Sequence, residues 1–366
     1  MTAAGSLALT ATPSDSAFFL GTYTNGGPSE GIYACHLNTE TGELGPVALA
    51  AKLADPSCLA VSADGRFLFA CTSTNGGSVA GFRIDSSTTL VPINERPAGG
   101  KGTCHVWVDA DGRHLLAANY SEGNISCFPI GSDGLLGDPT ATVRFTGSGP
   151  DPKRQQKAYA HSIYTDPENR HVYACDLGSD NVWTFGFDPA KGTLTPTDPP
   201  AAKAPPGGGP RHLAMHPNGS FTYVNNEMGL SVTAFSRNRK SGILSPIQTV
   251  STLPLEANRE GATTSEIQCH PNGKWLYVSN RGHDSITVFA IEPDGMLRSI
   301  ETIPCGVEVP RGFSIDPSGR WMVVAGQKDN RITVLKIAPA TGRLSPTGQS
   351  AQVGSPICVL FSGPHR

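Results

Sequence analysis

The chain has 366 residues with a formal net charge of −3, and it contains 42 glycines and 30 prolines but only 16% charged residues. Glycine and proline separate short runs rich in Val, Ile, Phe and Tyr, which is typical of an all-β protein with many turns. Because 28 basic residues balance 31 acidic ones and no basic block stands out, we expect no nucleic-acid partner and no anionic-membrane partner.

The start of the chain and the cysteines bear on localisation. The first twenty residues contain no Lys or Arg, so they lack the charged start of a signal peptide, and no apolar run approaches the ~20 residues that span a membrane. The nine cysteines are an odd number without a CxxC pair, and most lie inside apolar runs. We therefore predict free buried thiols and a soluble, cytoplasmic protein.

A hairpin-like segment recurs six times along the chain. Each copy has an alternating strand, a turn and a second strand; in the clearest copy, His216-Pro217-Asn218-Gly219 forms the turn, and Asn-Gly is a strong hairpin signal. The six hairpin segments are 57–73, 104–120, 161–177, 211–227, 265–281 and 311–327. Repetition at this spacing predicts one repeat architecture rather than several separate domains.

The rest of each repeat defines the fold. A third strand follows each of the hairpins, and a Gly-x-Leu run, present in five copies, then begins a fourth, so each repeat is a four-stranded propeller blade. Three strands before the first hairpin and the strand at 355–361 make one further blade. We predict an all-β, seven-bladed β-propeller of four antiparallel strands per blade, one blade being closed by the N- and C-terminal strands. The predicted domain spans 17–361, between a flexible segment 1–16 and a tail 362–366.

Polar residues concentrate where the hairpins open. The first strand of each blade should line the central channel, so the ends of the hairpin segments should meet at one channel mouth. Three long inserts, at 145–160, 204–210 and 253–265, enter the same ends and are predicted to be functional loops. The candidate residues at this mouth are His105, Arg154, His161, Asp176, Arg211, Glu227, Glu266, Arg281, Arg311 and Gln327. A charged, concave site is predicted there.

Several motifs of the chain resemble those of a single protein family. They include FLGTYT at 19–24, GTCH at 102–105, GPRHLAMHPNG at 209–219, VNNE at 224–227, LYVSNRGHDSITVF at 276–289 and PRGFSIDPSG at 310–319. Together these resemble the lactonase family of seven-bladed propellers, which includes 6-phosphogluconolactonases of the cycloisomerase-2 type and a fungal muconate lactonizing enzyme. The resemblance implies an active site of His161, Arg211, Glu227 and Arg281.

The resemblance also implies hydrolysis of 6-phospho-D-glucono-1,5-lactone. No metal is expected, because the arginines at this mouth argue against a bound cation by their charge, and no cofactor is expected. A general base must activate water, and a cation must stabilise the oxyanion. The base is left open between Glu227, His161 and Glu266, while Arg211 and Arg281 are expected to hold the carbonyl oxygen and the substrate anion.

Further candidate residues are expected to bind the rest of the substrate. Arg154 is predicted to contact the phosphate, and His105 and Glu266 to bind sugar hydroxyls; Asp176, Arg311 and Gln327 are further candidates for substrate binding. The expected partner is a small anionic lactone, and the expected state is a monomer or weak homodimer. The alternatives are a muconate-type cyclising enzyme, a lactonase for another lactone, and a non-catalytic propeller scaffold.

Overall fold

The computed structural model describes residues 15–362, and it contains seven four-stranded antiparallel sheets arranged as propeller blades. The first strand begins at Asp15, two residues before the predicted domain start. Residues 1–14 and 363–366, on which most of the predicted flexible segment and tail fall, lie outside the described residues. Within the described range, no helix is long and apolar enough to cross a membrane.

The strands follow the chain in order, four to a blade. Blade 1 contains β1 (Asp15–Thr22), β2 (Gly31–Asn38), β3 (Ala48–Lys52) and the C-terminal β28 (Pro356–Phe361). Blade 2 contains β4 (Leu59–Val61), β5 (Phe67–Thr72), β6 (Ser78–Ser86) and β7 (Thr89–Pro97), with a short 3₁₀ turn at Thr74–Gly76. Blade 3 contains β8 (Thr103–Val108), β9 (His114–Asn119), β10 (Asn124–Pro129) and β11 (Ala141–Arg144).

The other four blades repeat the same order. Blade 4 contains β12 (Ala160–Thr165), β13 (His171–Asp176), β14 (Asn181–Asp188) and β15 (Thr193–Lys203). Blade 5 contains β16 (Pro210–Met215), β17 (Phe221–Asn226), β18 (Ser231–Arg237) and β19 (Leu244–Ser251). Blade 6 contains β20 (Thr263–Cys269), β21 (Trp275–Arg281), β22 (Ser285–Ile291) and β23 (Leu297–Pro304). Blade 7 contains β24 (Pro310–Ile315), β25 (Trp321–Gly326), β26 (Arg331–Ile337) and β27 (Leu344–Gln352).

The predicted closure of the ring is confirmed. Strand β28 pairs antiparallel with β1, with Phe18 opposite Phe361 and Leu20 opposite Val359. The C-terminal strand therefore becomes the innermost strand of the N-terminal blade, and it contacts β24 of blade 7 and β4 of blade 2. This pairing covers sheet edges that would otherwise be open to other chains.

Apolar side chains fill the wedge between neighbouring blades. In the blade 7–blade 1 wedge, for example, Phe18 and Leu20 pack with Val323 and Val334. The same kind of buried cluster lies between each other pair of adjacent blades. Burial of apolar surface between blades stabilises the ring, so each blade depends on its two neighbours.

The Gly-x-Leu run begins the fourth strand in blades 4 to 7, as predicted, but the prediction is wrong for blade 3. There β11 begins at Ala141, and Leu136 forms only an isolated bridge with Ile130. The Leu136 backbone bonds instead to the Asn94 side chain of blade 2. Its carbonyl accepts from Asn94 Nδ2 at 2.8 Å, and its N–H donates to Asn94 Oδ1 at 3.1 Å. The N–H and carbonyl of Leu136, which would have started the fourth strand of blade 3, are therefore bonded to blade 2 instead.

The glycine of the Gly-x-Leu run has a packing role between blades. Gly295 of blade 6 has a φ of 83°, and a Cβ built on it would lie 2.2 Å from Cδ1 of Phe221 in blade 5. Its carbonyl oxygen accepts a hydrogen bond of 3.1 Å from the Tyr223 hydroxyl, also in blade 5. A side chain at this position is therefore excluded by both the backbone conformation and the neighbouring ring.

We predict that Gly295→Ala lowers the free energy of unfolding by about 2–5 kcal/mol, since left-handed strain adds to displacement of the Phe221 ring. Gly348→Ala is the matched control, because Gly348 has a φ of 80° but open space around its Cβ position. The control should cost only the strain, about 1–2 kcal/mol. Denaturation midpoints compare the two variants, and equal losses would contradict the packing role.

Candidate active site

A cavity of about 460 Å³ opens at the channel mouth, where the hairpin segments begin and end. All seven blades or their loops contribute to it. It is lined by Tyr23, Asp55, Ser57, Ser73, Gly102, Thr103, Cys104, Tyr120, Arg154, His161, Glu227, Thr263, Arg281 and Arg311. Its size suits a small-molecule ligand.

A recurrent β-bulge places functional side chains at the start of the inner strands. The register of β12 against β13 passes from Ala160 to Ser162, which leaves His161 without a partner residue. The same shift skips Arg211 in blade 5 and Arg311 in blade 7. It also skips Cys104 in blade 3, and both Ser265 and Glu266 in blade 6. A bulge re-aims the extra residue, and here it does so at the same place in five consecutive blades.

Glu227 lies at the centre of the charged residues. Its Oε1 is 2.7 Å from Nη2 of Arg154, and its Oε2 is 3.1 Å from Nε of Arg211 and 3.0 Å from Nη2 of Arg281. Burial raises the pKa of this carboxyl, but Arg281, Arg211 and Arg154 outweigh burial and lower the pKa to about 2. Glu227 is therefore a stable anion at neutral pH and a very weak base.

Arg211 supports this anion from below the cavity and does not line it. Its side chain is 3% exposed, and Nη1 donates to the Ser265 carbonyl oxygen at 2.6 Å. The Asn225 amide donates to the same carbonyl at 2.7 Å, which fixes the blade 5–blade 6 junction. Arg211 contacts Glu227, as predicted, but its side chain is buried in the protein and does not line the cavity.

Arg281 lines the cavity and is tied to the protein through its Nη2. Nη2 bonds Glu227 and also donates to the Thr264 carbonyl oxygen at 3.1 Å. Its Nε is buried and has no hydrogen-bond partner among residues 15–362. Burial, only partly offset by Glu227, lowers the pKa of Arg281 to about 10, so the guanidinium is still a cation at pH 7.

His161 lines the cavity as a neutral imidazole. Burial and the nearby Arg211 hold the pKa of His161 well below its usual 6.5. Nε2 lies 3.9 Å from Oε2 of Glu227, and the buried Nδ1 has no hydrogen-bond partner in the described part of the chain. The ring makes edge contacts with Tyr120 and His212, at centroid distances of 5.5 and 5.4 Å. A neutral imidazole that lines a cavity is able to accept a proton.

Arg154 is predicted to contact the substrate phosphate, but in the structure its guanidinium is already paired with Glu227. It comes from the 145–160 loop, where Asp151 Oδ1 accepts its backbone N–H at 2.9 Å and buried Gln155 donates to Asp180 at 2.7 Å. Its guanidinium lies against Glu227 and Tyr120, and both raise its pKa although burial opposes them. Arg154 therefore lines the cavity already paired with a carboxylate.

His105 and Glu266, predicted to bind sugar hydroxyls, lie in the channel and not among the cavity-lining residues. The His105 ring packs against Tyr164 and His212 at centroid distances of 4.8 and 5.3 Å. His212 Nδ1 lies 3.0 Å from Glu266 Oε1. Burial raises the pKa of Glu266 to about 7, although Arg211 partly opposes the shift. These side chains occupy the second position of their hairpin segments. His105 follows the bulged residue of blade 3, whereas Glu266 is itself part of the bulge in blade 6.

Asp176 and Gln327, predicted to bind substrate, also lie outside the set of residues that line the cavity. Asp176 is fully buried, and its carboxylate accepts from the Tyr159 and Gly178 backbone N–H groups, from the Ser179 hydroxyl and from the Trp183 indole. These hydrogen bonds occupy the carboxylate oxygens and close a loop of blade 4. Gln327 follows β25 at the expected end, but its side chain is not among those lining the cavity. Neither residue is placed to touch a ligand in the cavity.

Five of the ten predicted residues line the cavity, namely Arg154, His161, Glu227, Arg281 and Arg311. The prediction missed Tyr23, Asp55, Ser57, Ser73, Thr103 and Thr263, which also line it. Ser57 and Ser73 begin and end the first hairpin segment, so the same rule applied to that segment would have found both. Asp55 belongs to the loop before it, where its carboxylate accepts from Thr24, Asn25 and Ser73.

Two other kinds of chemistry find little support in residues 15–362. No group of three or more His, Cys, Asp or Glu side chains is close enough to hold a metal ion. Cys104 lines the cavity, but burial raises the pKa of its thiol above the usual range, and its Sγ lies 3.2 Å from the His161 carbonyl oxygen. A protonated thiol in this position is a poor nucleophile.

The fold and the cavity define a seven-bladed propeller with a cationic, histidine-containing pocket at one channel mouth. The family described as lactonase, 7-bladed beta-propeller, matches residues 17–361. The 6-phosphogluconolactonase of Bacillus subtilis is 35% identical over 346 residues, which are 94% of this chain and 97% of the relative. The chain therefore belongs to the lactonase family of seven-bladed β-propellers.

Other relatives and solved structures agree with this assignment. The 6-phosphogluconolactonase of Formosa agariphila is 32% identical over 81% of this chain and 86% of its own length. A periplasmic gluconolactonase of Pseudomonas aeruginosa has a TM-score of 0.88 and 29% identity, covering 96% of this chain and all of that one. A Bacteroides fragilis protein, provisionally titled a 6-phosphogluconolactonase, has a TM-score of 0.89 and 34% identity, covering 97% and 99%.

We predict that Glu227→Gln lowers the free energy of unfolding by about 3–5 kcal/mol at pH 7, because buried arginines lose their counter-charge. The pKa of Glu227 falls from 4.5 to about 2 on folding, so its contribution is complete above pH 4.5 and is lost as pH falls through about 2. The stability difference between wild type and variant, measured by denaturant unfolding, should shrink over that window.

Glu292→Gln provides the control, because Glu292 forms an exposed pair with Arg298 on blade 6. Its effect should stay within about 0.5 kcal/mol. A Glu227→Gln loss as small as this, or a difference that does not change between pH 5 and pH 2, would contradict the proposed role of the carboxylate.

Proposed function

We propose that this protein is a lactonase that hydrolyses 6-phospho-D-glucono-1,5-lactone to 6-phosphogluconate. The observation that carries the proposal is the cavity in which neutral His161 and cationic Arg281 both adjoin the fixed anion Glu227. The names of the relatives, among them the 35% identical Bacillus subtilis protein, support the same substrate. A sugar δ-lactone is an activated ester, so a positioned base and a cation are sufficient chemistry.

The reaction follows from the positions of these groups. His161 takes a proton from water, whose oxygen attacks the lactone carbonyl carbon, and the carbonyl oxygen becomes an oxyanion. Arg281, which lines the cavity as a cation, stabilises that oxyanion. The bond to the ring oxygen then breaks, and His161 returns the proton to this oxygen, which becomes the C5 hydroxyl. The new carboxylic acid ionises and releases one proton to solution.

Among the three candidate bases, we assign this role to His161. Glu227 has a pKa of about 2 and three arginine partners, so it has little affinity for a proton. Glu266 has a pKa of about 7, but it bonds His212 in the channel and does not line the cavity. We assign positioning to Glu227: it holds Arg281 and Arg154 at the cavity wall.

We further propose a cytoplasmic protein acting in carbohydrate metabolism, within the pentose phosphate pathway, as a monomer or weak homodimer. All nine cysteines are free thiols, which favours a reducing compartment. The Pseudomonas aeruginosa structure is titled periplasmic, so localisation within the family is not uniform. Fractionation of cells that produce the tagged protein tests this assignment directly.

The substrate is tested in a pH-stat, which measures acid release above the spontaneous rate. Freshly prepared 6-phosphogluconolactone, unphosphorylated gluconolactone and a carboxymuconate are compared side by side with the wild-type protein. We expect the highest kcat/KM for the phosphorylated lactone. Activity confined to the muconate, or no activity on any of the three compounds, would overturn the proposal.

We predict that His161→Gln lowers kcat for the phosphorylated lactone by about 10²–10⁴-fold. Because the pKa of His161 is held below 6.5, kcat/KM of the wild type should be level from pH 6.5 to 8 and fall below pH 6.5. A pH profile of initial rates checks this. A fall centred near pH 7 would identify Glu266 as the base instead, and activity that persists to about pH 2 would identify Glu227.

A further inference from the structure

The four arginines of the site are not equivalent. Arg154, Arg211 and Arg281 all bond the Glu227 carboxylate, at 2.7 to 3.1 Å. Arg311 lines the same cavity, but among residues 15–362 its guanidinium has no carboxylate partner within ion-pair distance and no hydrogen-bond acceptor. An unpaired guanidinium in a partly enclosed cavity is costly unless a ligand completes it.

The chain holds Arg311 in place without neutralising it. The bulge in β24 leaves Arg311 out of register with β25, and its backbone carbonyl accepts a 2.6 Å hydrogen bond from the Ser265 hydroxyl. Its guanidinium carbon lies 5.4 Å from the centroid of the Tyr23 ring, in a cation–π contact. This contact orients the flat guanidinium while its N–H groups stay available, so the arginine is preorganised for an anion.

The site carries an excess of positive charge, which favours an anionic ligand. Four arginines meet two ionised carboxylates, Glu227 and Asp55, which leaves a charge of +2 before any contribution from Glu266. The Asp55 carboxylate does not neutralise Arg311, because its oxygens accept hydrogen bonds from Thr24, Asn25 and Ser73. A phosphate monoester carries about −1.5 to −2 at neutral pH, which matches this excess.

We propose that Arg311, backed by the Tyr23 ring, is the phosphate subsite that selects phosphorylated over unphosphorylated lactones. Arg311 comes from blade 7 and Tyr23 from blade 1, whereas His161, Glu227 and Arg281 come from blades 4 to 6. The phosphate therefore binds on the blade 7–blade 1 side and the lactone carbonyl on the blade 4–blade 6 side. A planar guanidinium fork binds two phosphate oxygens at once. This assignment rests on the proposed function and replaces Arg154 as the phosphate contact.

The test compares the two lactones in Arg311→Gln. The ratio of kcat/KM for the phosphorylated lactone to that for gluconolactone should fall by about 10²-fold, mainly through KM of the phosphorylated substrate. Arg311→Lys keeps the charge without the fork and should lose about tenfold. Arg154→Gln disturbs Glu227, so it should lower both activities and leave the ratio within a fewfold.

Arg298→Gln is the matched control, because Arg298 is an exposed, ion-paired arginine on the outer strand of blade 6. It should change neither rate. Calorimetric binding of 6-phosphogluconate and gluconate gives a second readout that needs no turnover: Arg311→Gln should weaken the phosphorylated compound selectively. Thermal denaturation confirms that each variant is folded.

Two failures are distinguishable. If the wild type hydrolyses the phosphorylated lactone but Arg311→Gln and Arg311→Lys keep the wild-type ratio, the subsite is wrong and the proposed function stands. An equal loss on both lactones, without selective loss of 6-phosphogluconate binding, also overturns the subsite. If the wild type hydrolyses neither lactone and does not bind 6-phosphogluconate more tightly than gluconate, the function and the subsite fail together.

Discussion

The ion pairs of Glu227 with three arginines are the interaction on which the candidate site depends. Arg154, Arg211 and Arg281 come from different blades or loops, and without a shared anion their neighbouring positive charges would repel one another. The same pairing removes Glu227 from proton transfer, because its pKa falls to about 2. In the proposed mechanism, His161 therefore carries out the acid–base chemistry. We propose that Arg311, which Glu227 does not neutralise, binds the charged group of the ligand.

The propeller supplies this arrangement through one repeated backbone feature. Bulges at the start of the inner strands leave His161, Arg211 and Arg311 out of register, and each side chain is directed by the rigid blade behind it. Apolar wedges between blades fix how these strands sit relative to one another. The blades thus share one backbone scaffold. The residue at the first position of the hairpin segment differs from blade to blade, and these differences create the candidate site.

The sequence contained enough information for the fold and for the centre of the site. The repeat predicted the blades, and the ends of one hairpin predicted that Arg211 and Glu227 meet. Asp176 was mispredicted by one residue, since it aligns with Asn226, whereas the residue in the Glu227 position of that blade is Leu177. Strand alternation makes such a shift decisive. The Arg154–Glu227 pair joins residues 73 positions apart through a loop outside the repeat, so no pattern identified which arginine remains unpaired.

We propose that the fixed anion Glu227 organises one end of the cavity and that the unpaired Arg311 binds the phosphate at the other. A crystal structure of the protein with 6-phosphogluconate bound is the sharpest test. We expect the product carboxylate beside His161 and Arg281, the phosphate on Arg311 and Tyr23, and the Glu227 ion pairs unchanged. A phosphate bound to Arg154 with its Glu227 pair broken, or a product bound away from this mouth, would show that this arrangement of the site is wrong.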